Sequence, residues 1–347
     1  MKRAMRAIAI ASAALACAAC SLHNAQNALD AAGPQSGRIA GLWWLMLPIA
    51  AVVWVIVVSV MLVGAARKRS AREGVESRGG SDVLVRDEAR DRRMTRVVAA
   101  GVIVTAVILF LMLIADFRVG QALTMAPSTK VVPIKIVGHQ FWWEVQYPDS
   151  VPNKTVITAN EIHIPVGTPV VMELSSLDVI HSFWVPSLTG KKDLLPGYTR
   201  SLWFRADTPG VYRGQCAEFC GLEHAKMGML VIAQKQQDFD AWRAQQLDSA
   251  TTPSDSLAQH GKSVFLGTTC VMCHAIGGTS AGATTGPDLT HLASRQTIAA
   301  GTLQNTDANL IAWISDPQRI KPGVLMPPTK LDPRDMQALV AYLRHLK

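Results

Sequence analysis

The chain has 347 residues, 49% of them hydrophobic and 17% charged, with a net charge of +8. Soluble domains carry about 25% charge, so part of the chain is expected in lipid, and disorder is excluded as a global description. The positive charge forms no single basic face, since ten Lys and Arg against six acids fall in residues 64–96 alone, which argues against a nucleic-acid partner.

Lys2, Arg3 and Arg6 precede the apolar run IAIASAALACAAC. A basic start and a short apolar stretch form an export signal over residues 1–20. Small residues before Cys20 also suggest lipoprotein processing, although Cys17 stands where an aliphatic residue is usual. Cys20 is the lipidation candidate, with Cys17 and a plain signal cut after Ala19 as alternatives.

Residues 42–63 and 97–115 contain no charged side chain. At 1.5 Å per residue each is about 30 Å long, the thickness of a hydrocarbon core. They predict a transmembrane hairpin over 38–116, with Trp43 and Trp44 in the interfacial belt and Pro48 as a possible kink. The Arg-rich loop 64–96 belongs in the cytoplasm by the positive-inside rule, which places all that follows outside. Neither span has an ionisable group, so the hairpin reads as an anchor and docking surface rather than a proton path.

Residues 128–233 are rich in Val, Ile, Trp, Phe and Tyr, and are punctuated by YPDSVPN, VGTP, LPG and DTPG. Many short strands predict an all-β sandwich or barrel over 117–247, closed by a helix at 235–247. In EIHIPVG, Ile162, Ile164 and Val166 share one face, and Glu161, His163 and Pro165 the other. SATTPSDS, inside 248–257, reads as a flexible linker. Residues 258–347 form a small helical domain, whose last helix carries Met336, Leu339, Val340, Leu343 and Leu346 on one face.

The six cysteines fall in three close pairs, Cys17/Cys20, Cys216/Cys220 and Cys270/Cys273. Such pairs read as sites rather than as a disulfide framework. In CVMCH, Cys270 and Cys273 can attach one haem through its two vinyl groups, with His274 beneath the iron. Met326, in the proline-flanked loop PGVLMPPTK, is the expected second axial ligand. Met336 is accounted for by core packing. Pro287 supplies a carbonyl for the other His274 nitrogen. His260, His291 and His345 read as surface or packing residues. A zinc site is the bland alternative, and the exported setting disfavours it.

CAEFCGLEHAKM places Cys216, Glu218, Cys220, His224 and Met227 within twelve residues. Two thiolates, an imidazole and a thioether are soft copper ligands. Two cysteines are one too many for a single blue copper but can bridge two. A second histidine must come from elsewhere, and His181 in DVIHSFWVP is the choice. His139 and His163 read as structural. A Cys216–Cys220 disulfide or a zinc site leaves His224 and Met227 unexplained.

GHQFWWEVQYP, DVIHSFWVPSL, LLPGYTRSLWF, GVYRGQCAEFC and GLEHAKM closely resemble subunit II of haem-copper cytochrome c oxidases, over nearly all of residues 38–245. The fused CxxCH domain makes the chain similar to the caa(3)-type subunit. The resemblance implies a multidomain membrane protein: a two-helix hairpin, a cupredoxin-like Greek-key barrel and an all-α class I cytochrome c domain. It implies a dinuclear CuA centre held by His181, Cys216, Cys220, His224, Met227 and the Glu218 carbonyl. The Glu218 side chain would face a magnesium ion shared with subunit I, with Asp193 nearby. Many relatives have Trp first in the aromatic run after GHQ, where this chain has Phe141, Trp142 and Trp143. That departure fits an electron donor carried by the chain itself.

The implied function is electron input to a terminal oxidase. An external periplasmic donor reduces covalent haem c, the electron passes to CuA and then to haem in subunit I, where oxygen is reduced. The linker would hold the two domains at an effective concentration of order mM. Subunits I and III are the implied partners in a bacterial inner membrane, and oxygen chemistry and pumping belong to the partner. Rival readings are the electron-input subunit of a CuA-containing nitric oxide reductase and a membrane-anchored copper-delivery protein. A quinol oxidase subunit is disfavoured by the cysteines.

Overall fold

The computed structural model describes residues 26–76, 88–125 and 130–347. The export signal, Cys17 and Cys20 lie outside the described residues. The described parts form two units, one of residues 38–125 and one holding residues up to 37 together with 126–347.

The first unit is built from α1 (Pro34–Glu76), which starts in the other unit, and α2 (Glu88–Thr124). Both are long and apolar enough to cross a membrane, and no residue of their most apolar windows is buried. Trp54, Val60, Phe110 and Leu113 are among the exposed apolar side chains. Arg38 Nη1 donates to the Ala122 carbonyl at 2.8 Å, so the start of α1 lies beside the end of α2. The helices exceed the sequence-based hairpin at both ends. α1 begins before residue 38, and α2 runs to Thr124, eight residues past 116. The loop 64–96 also contributes helix on both sides, because its Arg, Glu and Ala residues are helix formers with no proline to stop them.

The second unit opens with a segment lying on the β-domain. Ala32 N donates to Ser187 O at 2.8 Å, and Asp207 N to Ala32 O at 2.8 Å. The β-domain has ten strands: β1 (Val132–His139), β2 (Trp142–Tyr147), β3 (Val156–Ala159), β4 (Glu161–Pro165), β5 (Val170–Ser176), β6 (His181–Trp184), β7 (Lys192–Leu194), β8 (Arg200–Phe204), β9 (Gly210–Cys216) and β10 (Gly228–Gln234). They form two five-stranded sheets, ordered β3-β2-β1-β5-β8 and β4-β10-β9-β6-β7. The pairs β1/β5 and β4/β10 are parallel, the rest antiparallel. Alternating apolar residues face inward from both sheets, and Trp143, Tyr147, Ile136, Ile162, Met172, Phe183 and Phe204 fill the space between. This is the all-β sandwich that strand patterning predicts. Helix α3 (Gln236–Gln245) closes it, with Trp242 stacked on His163 at 4.1 Å.

The C-terminal domain has α4 (Ser256–Gly267), α5 (Asp307–Ser315), a single turn α6 (Pro317–Ile320) and α7 (Pro333–His345). Asp332 caps α7 by accepting from Arg334 N and Asp335 N, ahead of Pro333 in the first turn. The buried face of α7 presents Met336, Leu339, Val340 and Leu343 to Phe265, Leu310 and Ile314. The domain is helical but not wholly so. Residues 297–298 and 303–304 pair as a small hairpin, β11/β12, around Gly301 at φ +73°.

Two further differences come from contacts between distant segments. The 248–257 segment is not a free tether. Its carbonyl at Asp248 lies 3.1 Å from His291 Nε2, Ala250 N donates to Gly277 O at 3.0 Å, and Asp255 already caps α4. β4 is buried on both sides, because Glu161 is covered by the C-terminal domain.

Candidate metal centres

The β-domain brings His181, Cys216 and Cys220 together, their ligand atoms all within 4.8 Å of one another. β9 ends at Cys216, the loop after it carries Glu218 and Cys220, and a single helical turn at 224–226 carries His224 just before β10. His181 opens β6, which pairs with β9, and this pairing sets the imidazole beside the loop. Cys216 Sγ lies 3.8 Å from His181 Nδ1 and 3.2 Å from the Glu218 carbonyl. Cys220 Sγ lies 3.7 Å from His224 Nδ1 and 3.8 Å from Met227 Sδ. Both thiols are free and buried.

The electrostatics favour a thiolate. The Cys220 thiol beside Cys216, joined by His181 and backbone donors, outweighs burial and lowers the Cys216 pKa to about 3. Cys220 is pushed upward by the same neighbour. His181 loses charge stability through burial, but Cys216 and Asp178 outweigh that and raise its pKa. Asp178 Oδ1 sits 2.8 Å from His181 Nε2, so the carboxylate orients the ring and leaves Nδ1 facing the sulfurs. Gly138 makes room for this histidine, since a Cβ there would lie 2.7 Å from the ring carbon Cδ2.

Glu218 and Asp193 stand outside the cluster. The Glu218 carboxylate is 3.9 Å from Lys191 Nζ, and Asp193 pairs with Ser182 across β7 and β6. His139 stacks on Trp142 at 4.2 Å and pairs with Glu144 at 3.4 Å. His163 stacks on Trp242, and burial lowers its pKa to about 4.

A cavity of about 510 Å³ is lined chiefly by the C-terminal domain. Cys270, Cys273, His274 and Met326 all line it, and Met336 does not. His274 Nδ1 is 2.7 Å from the Pro287 carbonyl, which leaves Nε2 for a ligand. Gly286 lets this ring lie flat against the backbone, as a Cβ would come within 2.8 Å of its Cε1. Arg295 borders the cavity, partly buried, its Nη2 donating to the Asp288 carbonyl at 2.6 Å and its Nε without a hydrogen-bond partner. A haem has two carboxylates to offer such a donor, and vinyl groups for the two thiols. The lining therefore fits a haem.

The β-domain supplies part of that cavity wall. Gln140, Phe141, Trp142 and Asn160 line it, whereas Trp143 is buried inside the sandwich, its ring centroid 5.9 Å from that of His181. The two domains are joined by buried polar contacts. Glu161 accepts from Gln296 N at 2.8 Å and Thr297 N at 2.9 Å. Lys321 Nζ donates to the Phe141 carbonyl at 2.9 Å. Sequence reasoning missed Asp178, Gln140, Arg295 and Lys321. Only Asp178 and Gln140 had a signal, as neighbours of His181 and Phe141.

Residues 152–234 match the family described as cytochrome C oxidase subunit II, periplasmic domain, and residues 258–347 match cytochrome c. The chain is 46% identical over 217 residues to cytochrome c oxidase subunit 2 of Alkalihalophilus pseudofirmus, covering 62% of this chain and 61% of that one. The chain thus carries a stretch similar to the periplasmic domain of cytochrome c oxidase subunit II, followed by one similar to cytochrome c. A second subunit 2, from Bacillus sp. strain PS3, is 34% identical over 229 residues, 62% of each chain. The match spans about three-fifths of the length of these curated relatives. A crystal structure of the periplasmic domain of subunit II of cytochrome oxidase from Bradyrhizobium japonicum is 29% identical, covering 35% of this chain and 96% of that one at TM-score 0.33. The match to the subunit II periplasmic domain implies copper, and the match to cytochrome c implies haem.

Proposed function

We propose that this subunit II chain is the electron-input component of a membrane-bound cytochrome c oxidase, carrying electrons from a covalent haem c to a dinuclear copper pair and on to a haem of subunit I. The observation that carries this is the shared wall. The cavity of the CxxCH domain and the cysteine loop of the β-domain meet at residues 140 and 141.

His181, Cys216, Cys220, His224, Met227 and the Glu218 carbonyl would hold the copper pair, which supplies one-electron exchange through shared thiolates. Cys270 and Cys273 would attach the haem, with His274 and Met326 as axial ligands. The protein's own part is to hold these groups still. The sandwich fixes His181 against the cysteine loop, and Asp178 fixes the ring tautomer. Burial excludes water from Cys216 and His181. Met326 is set by a proline on its C-terminal side and by Gln318 Nε2, which donates to its carbonyl at 3.0 Å.

Docking through Glu161 and Lys321 replaces the flexible tether as the reason the two centres meet. The Arg-rich loop 64–96 supports a topology with both folded domains on the outer face of a bacterial inner membrane. A magnesium ion at the subunit I border would draw the Glu218 carboxylate away from Lys191. Subunits I and III and an external donor complete the assembly.

The test is purification of the whole complex. Oxygen uptake driven by a reduced periplasmic donor, abolished in Cys273→Ala, supports the reading. Uptake that is unchanged in this variant overturns electron input through the C-terminal domain. A partner that reduces nitric oxide but not oxygen moves the chain to the rival reductase.

A further inference from the structure

We propose that the Gln140 side chain is the bridge that couples the haem cavity to the copper-ligand loop, and that Lys321 is the positioning residue that holds it there. The proposal rests on the reading that the two centres exchange electrons.

Gln140 lines the cavity alongside Phe141, Trp142 and Cys273. Its Nε2 donates to the Cys220 carbonyl at 2.6 Å. Its backbone N–H donates to Asp178 Oδ2 at 2.6 Å, and the other oxygen of that carboxylate lies 2.8 Å from His181 Nε2. One residue at the cavity wall is therefore bonded to Cys220 directly and to His181 through a single carboxylate.

The aromatic neighbours lack this connection. Phe141 touches the loop only by packing, its ring 3.2 Å from the place of a Cβ on Gly221. Trp142 lines the cavity but stacks on His139, whose partner is Glu144. Trp143 reaches His181 but does not line the cavity. Electronic coupling decays less along covalent and hydrogen bonds than across van der Waals gaps. The Gln140 amide is thus favoured over the aromatic rings.

Lys321 comes from the other domain, just after α6. The residue is 2% exposed, and a buried charge requires partners. It donates to the Phe141 carbonyl at 2.9 Å and to the Ala299 carbonyl at 3.2 Å. Beside it, Lys226 Nζ donates to the Ile320 carbonyl at 2.6 Å. The residue that follows Gln140 is thereby pinned through its carbonyl against the domain that carries the haem site. In the coupled step one electron moves. With both groups bound, ferrous haem iron would give up that electron and become ferric, the copper pair would take it, and no proton or covalent bond would change.

The test uses the full complex with both centres in place. Haem c is reduced by a flash, and its reoxidation is followed together with the copper absorption. Gln140→Leu keeps the bulk and removes the donor. Transfer should slow about tenfold or more, the scale on which small losses of geometry are felt, while both potentials and the copper EPR spectrum stay unchanged. Trp142→Leu should slow transfer less than Gln140→Leu does.

Lys321→Met should raise amide hydrogen exchange across residues 139–143 of the full chain, and Lys321→Arg should restore protection. Wild-type transfer in Gln140→Leu, or a larger slowing in Trp142→Leu, overturns the bridge. Unchanged exchange in Lys321→Met overturns the positioning role. If the wild-type haem reoxidises without copper reduction, the electron-input reading itself falls, and the Gln140 bridge falls with it.

Discussion

The two metal centres are built in opposite ways. The cysteine cluster is closed and local: one sandwich supplies every proposed donor, and five of them come from residues 216–227 with His181 beside them. The haem cavity is open and shared: about 510 Å³, walled by the C-terminal domain and by residues 140–142 of the β-domain. A compact ion can be held by donors that strand pairing has already assembled. A large planar cofactor needs a space, and here the space is completed by docking. Copper binding should therefore tolerate loss of the haem, while the haem environment should feel changes in the β-domain.

The largest effect that could break this contrast is Cys273→Ala. It should abolish covalent haem, read by haem staining after denaturation, and leave the copper EPR pattern intact. Loss of both centres would show that the copper cluster also depends on docking. Next is Asp178→Asn, which removes the carboxylate that orients His181. Copper affinity, measured by competition with a chelator, should fall about 10–100-fold. Haem staining should not change.

Met326→Leu and Met336→Leu then separate a cavity residue from a core residue. Met336→Leu is a volume-conserving swap in the α7 core and should cost less than about 1.5 kcal/mol, with the haem spectrum unchanged. Met326→Leu should alter the optical spectrum of the reduced haem with little change in stability.

The smallest effect is a pH dependence of the β-domain alone. His163 is neutral when buried, its pKa lowered to about 4 by burial. In the unfolded chain it takes up its proton near 6.5. The unfolded state therefore binds more protons between those values, and stability falls as pH drops from about 6.5 to about 4. His163→Asn should flatten that part of the curve for thermal unfolding. An unchanged slope would assign the dependence to other groups.

What could be read from the sequence follows the same division. The copper and haem motifs were visible because CAEFCGLEHAKM and CVMCH gather most donors within a few residues. The strands showed through their Val, Ile and aromatic content and through alternation such as Ile162, Ile164 and Val166. Hidden were the pairings across long separations. Lys321 meets a carbonyl 180 positions earlier, and Gln140 meets one 80 positions later. No local pattern records such contacts. They also explain why Glu161 is buried although it sits on the polar side of β4, and why the polar 248–257 segment is packed. The β11/β12 hairpin escaped notice because each strand has only two residues.

The most direct test of the account is the EPR spectrum of the copper-loaded full chain in detergent. The account predicts the hyperfine pattern of one unpaired electron shared equally by two copper nuclei, retained when the haem is absent. The pattern of a single copper nucleus would contradict it.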